Sequence, residues 1–246
     1  MSNTYDLKII NAEIADGTGG PLFSGEIGIR DGLLTAVGDA TGDATETIDA
    51  AGHIVAPGFI DIHTHYDAQI LWDRMLTISP WHGVTTVVMG NCGFSVAPTR
   101  REHREIMIRT LENVEGMTVA ALQAGLGDEW PFETFPEYLD VIESRGTAIN
   151  VAAMIGHTAL RTYVMGEDAT ERAATADEIA AMRELVGEAM QAGALGFATS
   201  KAVTHVGYQG KPVPSRAAEF EEIRDLASVL RDVGRGGVIQ ATVGPT

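Results

Sequence analysis

The sequence is poor in basic residues, in cysteine and in long apolar runs, and each shortage removes a class of protein. Lysine and arginine number 17 against 34 acidic side chains, for a formal net charge of −17. A surface of that sign repels phosphate backbones and anionic headgroups, which excludes a nucleic-acid binder and an anionic-membrane binder. The one cysteine, Cys92, has no partner for an intrachain disulfide and fits a reducing compartment. No apolar stretch reaches the ~18 residues that a membrane helix needs. The segment Met1 to Ile10 lacks the apolar core of a signal peptide. These features predict a soluble, cytoplasmic chain. There is no internal repeat. The glycine clusters at 17–20 and 234–237 lack the strand–GxGxxG–helix setting of a phosphate-binding loop.

What is present is an ordinary globular balance, 45% hydrophobic and 21% charged over 246 residues, enough for a sizeable core. That length matches a complete (β/α)₈ barrel of roughly 250 residues, but the order of elements points elsewhere. Up to residue 56 the chain reads as short strands broken by turns: 6–10, 13–15, 25–30 and 33–37, with Gly17–Pro21 as a turn cluster and Asp31-Gly32 as a hairpin turn. The spacing predicts a small antiparallel β module over 1–56.

Beyond Pro57 the pattern changes to apolar runs at 58–63, 83–90, 148–155, 194–199 and 237–243, of the kind that forms buried parallel strands. Helical periods lie between them at 99–115, 135–144 and 215–233. Another helix follows Thr175, where Glu178 completes a capping box and Gly193 suits the stop. Strand–helix alternation of this kind implies an α/β fold.

The strongest chemical signal is Gly58-Phe-Ile-Asp-Ile-His-Thr-His65. Alternation along a strand projects Asp61, His63 and His65 to one side. Two imidazoles at i and i+2 can reach one metal ion, and Asp61 can orient a ligand from behind. Two histidines after a buried apolar strand are otherwise costly. The second signal is Gly90-Asn-Cys92-Gly-Phe-Ser95, directly after the next strand. A thiol at the C-terminal end of a barrel strand lies where active sites form, and a metal would hold it deprotonated.

The run Val55-Ala-Pro-Gly-Phe-Ile-Asp-Ile-His-Thr-His65 resembles the signature of the amidohydrolase superfamily. Gly83-Val-Thr-Thr86, Gly90-Asn-Cys-Gly93 and Ile155-Gly-His-Thr-Ala-Leu-Arg161 narrow the likeness to the D-aminoacylase group, the N-acyl-D-amino-acid deacylases. The resemblance covers nearly the whole chain. It implies a metal-dependent amidohydrolase (β/α)₈ (TIM) barrel, here incomplete, joined to a small β-sandwich. It also implies zinc, as one or two ions, with His63, His65 and Cys92 as ligands. The reaction implied is hydrolysis of the amide bond of a small N-acyl-D-amino acid by a metal-polarised water, with an aspartate near the eighth strand handling the proton.

His157 and Arg161 follow the third barrel strand. His157 is a candidate for hydrogen bonding to substrate or to a ligand shell, and Arg161 for pairing with a substrate carboxylate. Lys201 and His205 follow the fourth strand and are further substrate-binding candidates. A carboxylated lysine bridging two metals is disfavoured for Lys201, since in the D-aminoacylase pattern the cysteine bridges. His53, His82 and His103 read as structural, and the acidic residues of the last two helices as a solvated face.

The sequence also departs from that group. A fifth-strand Gly-Gly-x-x-x-x-His run reads Gly236-Gly-Val-Ile-Gln-Ala-Thr242 here, so Thr242 stands where a histidine ligand is expected, with Gln240 as the nearest polar neighbour. Neither is a usual zinc ligand. Five barrel strands follow residue 57 where closure needs eight. The expectation is therefore residues 1–56 as a β-sandwich segment and 57–246 as the first five βα units, the N-terminal part of a chain of roughly twice the length. The sixth-strand histidine and the catalytic aspartate would then lie beyond Thr246. Two other readings stay open: an amidohydrolase acting on a different linear or cyclic amide, and a non-catalytic scaffold or inactive fragment.

Overall fold

The computed structural model describes residues 5–234 and 236–244. The chain divides into two compact units, the first ending at Gly58 and the second beginning at Phe59.

The first unit holds β1 (Tyr5–Ile14), β2 (Phe23–Arg30), β3 (Leu33–Gly38), β4 (Ala44–Asp49) and β5 (Ile54–Val55). They form one sheet in the order β3-β2-β1-β4, with β5 also on β1. The β2–β3 hairpin turns at Asp31-Gly32, whose φ values of 52° and 72° are those a tight hairpin turn demands of both central residues. The expectation of a wholly antiparallel module is corrected: β4 and β5 run parallel to β1. A parallel partner arrives by a crossover and leaves no turn signature in the sequence, so only the antiparallel pairs were legible. The two pieces expected at 6–10 and 13–15 are one strand, with Asn11 at φ 56° where the register shifts between Ile9 and Ala12. Ala12, Ile14, Ile27 and Ala50 form its core.

The second unit holds β6 (Phe59–Asp61), β7 (Val84–Met89), β8 (Asn150–Gly156), β9 (Gly196–Ser200) and β10 (Val238–Thr242). All pair in parallel, in sequence order. Burial is deepest in the middle of the sheet: β9 is buried along its whole length, while Phe59 and Ile60 of β6 and Val238 and Ile239 of β10, the outer strands, are exposed. Val87, Met89, Ile155 and Phe197 enter the large core with the helices, while Val88, Met154 and Ala198, one residue out of phase, pack together on the opposite face.

The helices are α1 (Arg104–Glu115), α2 (Val119–Leu126), α3 (Phe135–Arg145), α4 (His157–Met165), α5 (Ala176–Ala192) and α6 (Phe220–Asp232). Two start later than their sequence periods suggest: 3-10 turns occupy Arg101–His103 ahead of α1 and Pro214–Ala217 ahead of α6. Helices α2 and α4 were not anticipated. The first is only eight residues long. The second begins on the residue after β8, with Gly156 as N-cap and no connecting loop to announce it.

Helix α5 carries the expected capping box, with the Thr175 side chain on the Glu178 N–H and the Glu178 side chain on the Thr175 N–H. Thr175→Ala should therefore lower stability by about 1 kcal/mol. Denaturant titration checks this as a lower midpoint with an unchanged slope, and Thr175→Ser should restore most of the loss.

Candidate metal centre

The parallel register places the C-terminal ends of β6, β7, β9 and β10 side by side, and the residues just beyond them meet. Past β6 the chain stays tied to β7, since Thr64 donates from its N–H and its hydroxyl to the Val88 carbonyl at 3.0 and 2.8 Å. That buries Thr64 and turns His63 and His65 the other way, with ring centroids 5.3 Å apart. Asp61 accepts the backbone N–H of His63 at 3.2 Å, so it holds the main chain here and not the imidazole ring that the sequence suggested.

Beyond β7 the chain turns sharply. Gly90 has φ 83°, and a Cβ there would lie 2.0 Å from the Met154 carbonyl oxygen, so no other residue fits. Asn91 is buried and donates to the carbonyls of Val88 and Thr64 at 2.9 and 3.3 Å. Cys92 then adopts a left-handed φ of 57°, unusual for a residue with a side chain and costing of order 1–2 kcal/mol. Its sulfur comes to rest 3.2 Å from His63 Nε2.

Donor atoms of His63, His65 and Cys92 all lie within 4.8 Å of one another. Two ligands on one tetrahedral zinc stand about 3.5 Å apart, from bond lengths of about 2.0–2.3 Å, so small side-chain adjustments suffice to close on an ion. The donor set of two imidazoles and a thiol is of the kind zinc prefers. His65 Nδ1 is buried without a hydrogen-bond partner among the described residues, as an atom reserved for another contact would be. Burial, helped by the neighbouring His63 and His205, pushes His65 down to about 4, which keeps the ring neutral at neutral pH, with the lone pair of one nitrogen free. Burial pushes the Cys92 thiol up, with the Thr242 hydroxyl pulling partly against it. The residues present fit a zinc ion.

Two carboxyl groups absent from the sequence reading stand here. Glu115, the last residue of α1, approaches His65 Nδ1 to 3.1 Å without hydrogen-bond alignment, and burial pushes it up to about 7. Asp67 accepts the Gly90 N–H at 3.0 Å while its other oxygen has no partner. Burial pushes it up to about 8. A signal for Glu115 did exist. It falls four residues after Leu111 and eight after Met107, on the buried stripe of α1.

His205 joins the group. Its Nδ1 is 2.7 Å from the Ser200 hydroxyl, and its ring stands 5.2 Å from that of Phe94, which in turn is 6.4 Å from the His65 ring. Lys201 does not join it, since its ammonium donates to the carbonyls of Arg216 and Ala218 at 2.6 and 2.7 Å and shapes the loop after β9.

His157 and Arg161, the other candidates for substrate contact, lie elsewhere. Both are fully buried on α4 around Glu222 of α6, which is 1% exposed. Arg161 Nη1 is 2.6 Å from both Glu222 oxygens, while its Nε and Nη2 donate to the carbonyls of Ala169 and Arg172. No nitrogen is left for a substrate carboxylate. His157 Nε2 is 2.9 Å from Glu222, and its Nδ1 is 2.8 Å from the Thr199 hydroxyl. A carboxylate can only accept, so the proton is on Nε2, and Nδ1 accepts from Thr199. Glu222 also corrects the reading of the α6 acids as a solvated face. It precedes Leu226, Val229 and Leu230 by four, seven and eight residues, on the buried stripe.

The profile of the Amidohydrolase family matches residues 46–242. A D-aminoacylase of Alcaligenes xylosoxydans xylosoxydans is 37% identical over 242 residues, covering 98% of this chain and 44% of its own length. An N-acyl-D-aspartate deacylase of the same organism is 39% identical over 238 residues, covering 96% and 43%. Among solved structures, the N-acyl-D-glutamate deacylase of Bordetella bronchiseptica, complexed with zinc and a phosphonate inhibitor, superimposes with a TM-score of 0.76 at 35% identity, over 97% of this chain and 45% of that one. The chain thus spans less than half the length of the relatives it matches.

Removing the carboxylate of the buried cluster should be severe, because Arg161 would keep its charge with no counter-ion. Glu222→Leu should cost about 3–5 kcal/mol. The pH dependence has a definite sign. Burial holds His157 below its ordinary 6.5, and although burial alone would raise Glu222, the bonds from His157 and Arg161 hold it below its ordinary 4.5. Both groups bind protons more weakly folded than unfolded, with Arg161 and Lys201 as the nearby cations. The stabilisation is therefore complete above about pH 6.5 and is lost on acidification, first through position 157 and then, below about 4.5, through position 222. Melting temperature against pH checks this, and His157→Asn should flatten the first part of the fall.

Proposed function

Since the chain belongs to the amidohydrolase family, we propose that it carries the metal-binding part of a zinc-dependent hydrolase cleaving the amide bond of N-acyl-D-amino acids. One observation carries the reading: two imidazoles and a thiol, from separate strand ends, with donor atoms within 4.8 Å of one another. The deacylase relatives support the substrate class. In this reading residues 1–56 are a β-sandwich segment and 57–246 the first five βα units of the barrel. The exposed Leu34 and Val37 of β3, paired with Ile29 and Ile27 on one face, support a second apolar layer on the first unit. The lone thiol, needed reduced as a ligand, favours a reducing compartment such as the cytoplasm.

Zinc held by His63, His65 and Cys92 would supply Lewis-acid polarisation of the acyl carbonyl and activation of water at neutral pH. The remaining work falls to side chains of the chain itself. The Gly90–Cys92 turn presents the sulfur, and Glu115 stands against the His65 ring. Phe94 keeps water from one flank of His65 and His205. His205, held through Nδ1 by Ser200, makes no hydrogen bond through Nε2 among the described residues, which leaves that nitrogen to meet a polar group of the substrate. The net charge of −17 leaves recognition of an anionic substrate to local groups rather than to the overall field.

The test is metal analysis with turnover on the full-length protein. Zinc should co-purify, and N-acyl-D-amino acids should be cleaved in preference to their L counterparts. The double variant His63→Ala, Cys92→Ala should lose bound zinc and more activity than the roughly 10–100-fold that loss of an outer-shell partner costs. A wild-type protein that binds no metal would sink the reading.

A further inference from the structure

Strand β10 brings Gln240 and Thr242 to the same face of the sheet, two residues apart, and both end on Cys92. Gln240 Oε1 accepts the backbone N–H of Cys92 at 2.7 Å. A main-chain N–H can only donate, so this contact fixes which way round the Gln240 amide lies. Its Nε2 must then face the other way, and it donates to the Thr242 hydroxyl oxygen at 3.0 Å. With that oxygen accepting, the Thr242 proton is free for another partner, and the hydroxyl stands 3.2 Å from Cys92 Sγ. The direction of every bond follows: Cys92 N–H to Gln240, Gln240 to Thr242, Thr242 to the sulfur of Cys92. The ring closes on the residue where it began, and that residue has the left-handed backbone of φ 57°.

We propose that Gln240 and Thr242 are positioning residues for Cys92, forming a closed hydrogen-bond relay that orients its sulfur as a metal ligand and tunes its donor strength. This rests on the metal-centre reading above. Thr242 occupies the place where the sequence resemblance puts a histidine. Its hydroxyl is not a substitute ligand, because its proton points at the sulfur and Gln240 holds its oxygen. The pair replaces a direct bond to metal with hydrogen bonds to a neighbouring ligand. A donor aimed at a thiolate withdraws electron density from sulfur and fixes its direction, and partners of this kind govern affinity and electronic structure at metal sites. The same two bonds hold the strained Cys92 backbone in place against the end of β10.

Cobalt(II) in place of zinc reads this without turnover. The wild-type full-length protein should bind cobalt and show a thiolate-to-cobalt charge-transfer band. Thr242→Val keeps the side-chain volume and removes the proton. It should weaken cobalt binding about 10–100-fold in chelator competition and move the band to lower energy, because an unshared thiolate is the better donor. Thr242→Ser should restore both. Gln240→Met, which cuts both arms of the relay, should act in the same direction and serves if the valine variant does not fold. Unchanged affinity and an unshifted band in Thr242→Val, or in Gln240→Met if the valine variant does not fold, would overturn the relay while leaving the metal centre standing. A wild-type protein that takes up no cobalt would overturn both.

Discussion

The turn from Gly90 to Cys92 is the constraint on which the rest of the site depends. Strand β7 ends against β8 so closely that a side chain at position 90 would collide with the Met154 carbonyl. The chain can leave the sheet there only through a glycine in left-handed conformation. That exit carries Cys92 back over the strand ends, where its sulfur meets His63 from beyond β6 and Thr242 from the end of β10. Three segments far apart in sequence are joined through one sulfur atom. The cost of a left-handed cysteine is offset by the hydrogen bond from its N–H to Gln240 and by the buried Asn91 amide behind it.

A second buried polar group stabilises the frame from behind. Glu222 gathers Arg161, His157 and, through the imidazole, Thr199. It links α6 to α4 and α4 to the end of β9, the strand that leads into the loop carrying His205. A charged group with no exposure is tolerable only when its partners are complete, and here each nitrogen of Arg161 has an acceptor. The cluster positions the loop-bearing strand.

Much of this was legible in the chain before folding. The apolar runs marked all five parallel strands because apolar residues fall on both faces of each, with no strict polar alternation to obscure them. Asp31-Gly32 marked its hairpin and Thr175 with Glu178 marked its helix start, since both are local chemistry. The parallel pairing of β4 and β5 was not visible, because crossovers leave no local signature. Helix α4 was missed for want of a loop before it, and that omission made His157 and Arg161 look like loop residues open to substrate. Glu222 reads as a solvent-facing charge and Glu115 carries no assignment in the sequence, though each lies on the apolar stripe of its helix at four- and eight-residue spacing. An acid on such a stripe is a sign of a buried role that composition alone does not reveal.

By itself the sequence determined the order of the five parallel strands, the helix that Thr175 opens and the identity of the three candidate ligands, because residue type and short-range spacing control those. Only the tertiary structure decided which polar residues meet. It joined Thr242 and Gln240 to Cys92 across some 150 residues and withdrew Arg161 from the site by giving it Glu222. Hydrogen bonds act over about 3 Å, and which groups come that close depends on how the strands register and the helices pack, not on their separation along the chain.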